Sequence, residues 1–288
     1  MAKAEMIAAM LIFGTIGVVV SAMGLPSPVI AMFRAVIGSI FLVTFMLIKK
    51  IRPNNEAIKR NLLKLLLSGF ALGFNWIFLF ESYRYTGVAV GTLCYYMAPV
   101  FVVLLSPLVL KERLTAKSLI FSAVSVAGAA MISGVGTSTG ANVRGVFFGL
   151  AAAMLYCFIV LTNKKISGIS SFEITFIQLL VSAVVMVVYN LITQDLSAIH
   201  FDVKTVALIA LIGILHTGIA YLLYFSSVQK VPAQTTAIFS YVDPVTAILL
   251  SAFVLGEDLS IIQIIGTVLI LGSALANEIF KKRVNVNE

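Results

Sequence analysis

Tyr96-Met97-Ala98-Pro99-Val100-Phe101-Val102-Val103-Leu104-Leu105 and, 145 residues on, Tyr241-Val242-Asp243-Pro244-Val245-Thr246-Ala247-Ile248-Leu249-Leu250 write one pattern twice: a tyrosine, a proline three residues later, then an apolar run. The same shift carries Gly73, Phe80 and Ser82 onto Gly218, Phe225 and Ser227 upstream. Downstream it carries Leu110, Glu112 and Leu114 onto Leu255, Glu257 and Leu259. A shift of 144 lays Arg34 on Gln178 and Ala8-Ala9-Met10-Leu11 on Ala152-Ala153-Met154-Leu155. The chain thus reads as an internal duplication, with one repeat in residues 1–140 and the other in 141–288.

The solvent of each repeat follows from composition. Of 288 residues, 60% are hydrophobic and 11% charged, whereas soluble domains hold roughly 45–50% apolar and about 25% charged residues. The mean hydropathy is +1.08, and so few charges cannot clothe a soluble surface. Disorder, collagen-like repeats and coiled coils are excluded on the same ground. Cys94 and Cys157 both sit in apolar runs, so no disulfide framework is implied.

A helical span of a ~30 Å hydrocarbon layer takes about 20 apolar residues. Ten stretches qualify: 6–23, 28–48, 62–82, 88–110, 116–134, 144–163, 172–192, 204–225, 234–255 and 259–280. They lack the period-two alternation of barrel strands, and lipid offers backbone groups no outside partner. The first stretch has features of a cleavable signal but is long for one, so a retained helix is expected. Five spans per repeat is an odd number, so the two halves enter the membrane in opposite senses. The expected fold is all-α: ten transmembrane helices forming two inverted five-helix repeats around a central cavity.

Charge placement sets the orientation. With both termini in the cytoplasm, the inside holds Lys3, Lys49, Lys50, Arg52, Lys59, Arg60, Lys64, Lys111, Arg113, Lys117, Lys164, Lys165, Lys230, Lys281, Lys282 and Arg283. Arg84, Arg144 and Lys204 fall outside, and Arg34 lies within a span. This positive-inside bias accounts for the net charge of +8 without nucleic acid. The partners expected are a lipid bilayer and a small-molecule solute; monomer and homodimer both stay open.

Tyr96-x-x-Pro99 followed by Glu112-x-Leu114, echoed by Tyr241-x-Asp243-Pro244 and Glu257-x-Leu259, is the decisive signature. With Ser27-Pro28, Phe33-Arg34, Gly266 and Gly272, it resembles the drug/metabolite transporter superfamily in its ten-helix EamA-type branch. The likeness runs over essentially the whole chain. It implies the inverted-repeat fold, a bacterial inner-membrane location and metabolite export. Members move amino acids, sugars, nucleotide-sugars, cations or drugs, so the resemblance does not select a substrate.

Polar side chains inside a bilayer are functional hypotheses by default. Asn75, His216 and Asp243 each fall within roughly 5 Å of a helix midpoint, with Arg34 and Gln178 a few ångströms to either side. Pro244, beside Asp243, removes an N–H and frees the carbonyl of Ser240, as Pro99 does for Tyr95. A kink at mid-depth points to a transport site. Asp243 either couples protons and contacts solute or is a structural acid bonded to a neighbouring helix or to Arg34. His216 reads as a relay, a solute donor or a satisfied bundle histidine. Arg34 either holds a carboxylate or ties an outer gate, and Gln178 joins this gating set. Glu112 and Glu257 read as caps of the helices that follow them.

Trp76, Phe78, Tyr95, Tyr96, Tyr221, Tyr224 and Tyr241 share this depth and would wall a cavity suited to amphipathic or cationic solutes, or else pack the bundle. Tyr83 and Tyr85 read as interfacial. Gly69 and Gly73, Gly87 and Gly91, and Gly145 and Gly149 with Ala153 have the spacing of close helix packing. No HExxH, CxxC or Walker motif is present, and Gly134-x-Gly136-x-x-x-Gly140 lacks dinucleotide-loop spacing. No cofactor or metal is therefore expected, and transport would run on gradients. The resemblance implies export of amino acids or similar metabolites, facilitated or proton-coupled. Uptake of such a solute or of an organic cation is the alternative. A channel would need more polar spans, and an intramembrane enzyme would need a nucleophile that is not evident.

Overall fold

The computed structural model describes residues 1–51, 53–111, 116–133, 142–199, 201–228, 230–231 and 239–285. Arg52, Glu112, Arg113, Leu114 and the Gly134-to-Gly140 run lie outside the described residues.

The described chain is helical: α1 (Ala2–Gly14), α2 (Ile16–Met23), α3 (Ser27–Lys49), the short α4 (Asn55–Arg60), α5 (Leu62–Tyr95), α6 (Ala98–Leu110), α7 (Ala116–Ser133), α8 (Val143–Asn163), α9 (Ser171–Thr193), α10 (Val203–Ala210), a π-wound stretch (Leu211–Ile219), α11 (Ala220–Val228), α12 (Val242–Leu255) and α13 (Ile261–Asn285). Among the described residues, six helical segments are long and apolar enough to cross a bilayer: Ala2–Met23, α3, α5, α8, α9 and Val203–Tyr224. Shorter apolar helices are Ala98–Leu110, Leu119–Met131, Val242–Leu255 and Ile261–Ser273. Large apolar side chains such as Leu47, Leu108, Phe147, Ile192, Phe253 and Ile261 stand exposed on the outside. That is an arrangement for lipid and not for water.

Several spans are interrupted where a continuous helix was expected. Gly87, at φ 80° and ψ 170°, breaks α5 between Thr86 and Val88, a conformation essentially restricted to glycine. The fourth stretch breaks again at Tyr96-Met97, so Pro99 stands near the start of α6, on an exposed surface, and not at a mid-helix kink. Its counterpart Tyr241 precedes α12 in the same way, placing Asp243 and Pro244 in a first turn.

Helix packing comes in matched pairs. α5 packs on α8 as α11 packs on α1; α6 on α8 matches α12 on α1; α5 on α9 matches the π-wound stretch on α3. Counterparts also meet directly, α3 with α9 and α7 with α13. Close approach rests on the small residues: a Cβ at Gly69 would strike Val181 of α9, and one at Gly149 would strike Cys94 of α5. The glycine stripes thus serve internal packing.

The loops gather into two faces. On one, Asn54 N–H donates to Glu173 Oε1 (2.9 Å), Lys64 Nζ to the Lys165 carbonyl (2.6 Å) and Ser226 Oγ to Glu5 Oε2 (3.0 Å). On the other, Arg144 lies 5.0 Å from the Tyr85 ring centroid, and Asn190 Nδ2 donates to the Pro28 carbonyl (3.0 Å). Lys64 and Lys165 stand in the first group, where Lys230 Nζ also donates to Ser226 Oγ (3.4 Å), and Arg144 stands in the second.

Candidate functional site

A cavity of about 680 Å³ enters from the lysine-bearing face beside Asn163, Lys164 and Ser171. It runs inward past Gln178, Ile174 and Tyr224 to Tyr156, Tyr221 and Asp243. Continuous with it is a deeper chamber of about 170 Å³, which shares Phe13, Leu72, Tyr96, Tyr156, Tyr221 and Asp243 and adds Arg34, Asn75, Trp76, Tyr83 and Tyr95. On the opposite face a separate hollow of about 440 Å³ lies over Ser21, Gly24, Pro26 and Arg84. Tyr83 lines both this hollow and the chamber and so stands between them. The expectation that Tyr83 is interfacial is corrected: it is 8% exposed, accepts a hydrogen bond from Thr92 Oγ1 (3.4 Å) and fills the notch left by Gly91, whose Cβ would lie 2.6 Å from the ring. Tyr85 does sit at the face, stacked on Phe148.

The chamber brings together polar groups from distant elements. Arg34, on α3 and 5% exposed, donates from Nε to Thr217 Oγ1 (3.2 Å) and lies 4.2 Å from the Trp76 ring centroid. A guanidinium over an indole face gains cation–π stabilisation. No carboxylate pairs with it: among the described residues the one ion pair is Arg84–Glu81, on the surface. Of the two structural alternatives for Asp243, the tie to Arg34 is not formed, while the bond to a neighbouring helix is, through Tyr96. Asp243 accepts from Tyr96 Oη at Oδ2 (2.8 Å), while its Oδ1 accepts from none of the described residues. Asn75 is fully buried and donates from Nδ2 to the Ala152 carbonyl (2.7 Å), and its Oδ1 has no hydrogen-bond partner among the described residues.

Other expected residues fall elsewhere. His216, 1% exposed, meets Thr15 Oγ1 at Nε2 (2.8 Å) and the Leu211 carbonyl at Nδ1 (3.2 Å), so both ring nitrogens are occupied away from the chamber. The bond to Leu211 spans five residues and follows from the π winding around it. Phe78 packs against Phe148 and does not line the cavity; Pro99, Tyr241 and Pro244 do not line it either. Gln178 lines the outer reach and donates from Nε2 to Ser68 Oγ and Asn163 Oδ1, both 2.7 Å. Glu257, expected to cap the following helix, accepts instead from the N–H groups of Val88 (2.7 Å) and Ala89 (3.0 Å), in the other half of the chain. A carboxylate there satisfies the donors freed by the Gly87 break. Tyr156 lines both cavities and escaped the sequence reading; an aromatic hydroxyl midway along α8, facing the same depth as Tyr95, was the available signal.

An apolar-coated helical bundle with a cavity lined from both halves of the chain fits a polytopic membrane transporter. The model of the EamA-like transporter family matches residues 4–134 and again 143–277, so the chain belongs to that family. A Bacillus subtilis (strain 168) protein printed as "Uncharacterized transporter YxxF" is 32% identical, over 94% of this chain and 88% of its own. A second "Uncharacterized transporter", from Archaeoglobus fulgidus, is 26% identical over 95% and 94%. A solved crystal structure 19% identical covers 98% of both chains with a TM-score of 0.67, a likeness of fold. As a member of a transporter family the protein is not an enzyme.

Proposed function

We propose that the protein is a secondary transporter of the bacterial plasma membrane that exports small amphipathic metabolites, amino acids first among them, by alternating access. In this reading ten helices cross the bilayer as two inverted repeats, residues 1–140 and 141–288, with both termini in the cytoplasm. The matched helix pairs and the segregation of lysines to one face support it. The observation that carries the reading is the cavity: residues of both halves line it, and its lining runs from Lys164 and Ser171 to Tyr83, which also borders the separate hollow by Arg84. A central site bordered in this way suits a protein that opens it to each side in turn.

Asp243 is the proposed coupling group, since it lines the cavity and its Oδ1 accepts from none of the described residues. The reading is tested with purified protein in liposomes. Saturable uptake with counterflow is expected; flux that neither saturates nor shows counterflow makes the protein a channel. Asp243→Asn is expected to abolish uptake driven by a pH gradient while counterflow persists at raised solute concentration. An unaltered pH dependence removes Asp243 from coupling.

A further inference from the structure

We propose that the outer groove between α5, α6 and α8 is a binding site for an anionic phospholipid, its phosphate held by Lys64 and Lys165 and one acyl chain laid along α8.

The groove follows from the helix packing. α5 and α6 each pack on α8 but scarcely on each other, so a trough of about 400 Å³ opens between them with α8 as its floor. That volume falls in the range of ligand pockets, ~300–1,000 Å³. α8 therefore carries two lined faces. Tyr156, Ile159, Val160 and Asn163 border the central cavity, whereas Met154, Cys157, Phe158 and Leu161 border the groove. The groove shares no lining residue with the cavity or the chamber, so it is not a reach of the solute path.

Its chemistry changes along its length. Lys64 stands in the first turn of α5 and Lys165 just beyond the end of α8, so both mark the loop end of the groove. Lys111 closes α6 at the same end, two residues after the lining Val109. Lys64 Nζ donates to the Lys165 carbonyl (2.6 Å), a bond that ties the two helix ends together and keeps the lysines adjacent. None of the described carboxylates pairs with these lysines. Ammonium groups gathered without a counter-ion repel one another, and a phosphate between them reverses the sign of the interaction. Away from the lysines the lining is apolar, with Leu67, Met154 and Phe158 exposed. Met154 lies nine residues before Asn163, the last residue of α8. That is about 14 Å along the axis, near half of a ~30 Å hydrocarbon layer. The groove thus has the depth of one leaflet, cationic at the headgroup end and apolar below it.

Any acyl chain can fill an apolar trough in a bilayer; the headgroup is what the lysines select. A zwitterionic headgroup brings a cation of its own to them, and an anionic one does not. The other repeat offers the contrast. Its matching positions hold Ile209 for Lys64 and Ser21 for Lys165, so the inverted copy, which meets the opposite leaflet on the proposed topology, lacks the pair.

The test uses the full chain in detergent, titrated with dioleoyl phosphatidylglycerol or dioleoyl phosphatidylcholine. Bound lipid is read by native mass spectrometry and by the thermal midpoint. Phosphatidylglycerol is expected to bind about tenfold or more tighter, the attraction of two lysines. Lys64→Gln combined with Lys165→Gln is expected to bring the two lipids together. Lys3→Gln combined with Lys230→Gln, an equal change of charge at residues that do not line the groove, is expected to keep the preference. Phosphatidylglycerol with a photoreactive acyl chain is expected to label stretches 105–109 and 154–161. Equal binding of both lipids by the wild type, or labelling confined to other stretches, overturns the proposal without any variant having to fold. Loss of the preference in both double variants alike reduces it to diffuse surface attraction and overturns it too. So does displacement of the lipid by inorganic phosphate, which marks a site for the free anion, and so does a lipid-free dimer sealed across the groove. Counterflow tests the transporter reading separately, because the groove and the cavity have no lining in common.

Discussion

The two halves of this protein share a frame and differ in what they put into it. The break before α6 at Tyr96 recurs before α12 at Tyr241, and the left-handed residue closing α6, Lys111, recurs as Gly256. At the chamber the correspondence ends. Where the second half offers Asp243 the first has Ala98; where the first offers Asn75 and Arg34 the second has Ala220 and Gln178. Gln178 is satisfied by Ser68 and Asn163 near the open mouth, whereas Arg34 stands by the closed end. On the proposed function, duplication would supply two like bundles that move against each other, and divergence at a few positions gives the chamber polar groups that a symmetric pocket could not hold.

The largest effect is expected where the frame itself is broken. Gly87→Ala puts a Cβ 2.8 Å from the Glu257 carboxylate on a backbone only glycine adopts readily. A cost of about 3 kcal/mol or more is expected, read as a lost or sharply lowered thermal midpoint in detergent. Wild-type stability would show that the junction between the halves tolerates another path.

Next comes the wall. Tyr83→Ala joins the chamber to the outer hollow, so liposomes should leak leucine without saturation and counterflow should collapse. Retained saturable flux would move the closure elsewhere. Replacing Asn75 by alanine, the residue its counterpart already is, sharpens the contrast between the halves. It should raise the half-saturation for leucine counterflow about three- to tenfold, the worth of one ordinary hydrogen bond. The smallest effect is expected at Thr15→Val, which removes the His216 Nε2 partner outside the chamber. A stability loss of about 1–2 kcal/mol with unchanged counterflow is expected; a lost pH response instead would make His216 part of the coupling path.

Much of this was readable beforehand, for identifiable reasons. Asp243 and Arg34 stood out because a charge within an apolar run is conspicuous whatever surrounds it. Their failure to pair was not readable, since α3 and α12 are placed by packing. Tyr83 was misread for the converse reason: an aromatic near a span's end is ordinarily an interface anchor, and only the notch at Gly91 and the hollow beyond turn it inward. Glu257 capping Val88 and Ala89, and Thr15 meeting His216, join residues far apart in the chain, which no local pattern encodes.

The sequence by itself determined that this chain lives in lipid as apolar helices, that it is a duplication, and which polar residues are buried. Those properties follow from side-chain transfer energies and repeat spacing, which are local and additive. Which polar groups face one another and which are satisfied was decided by the tertiary structure alone. Hydrogen bonds and charge pairs depend on distances of a few ångströms, and those distances are set only when helices from both halves close around the cavity.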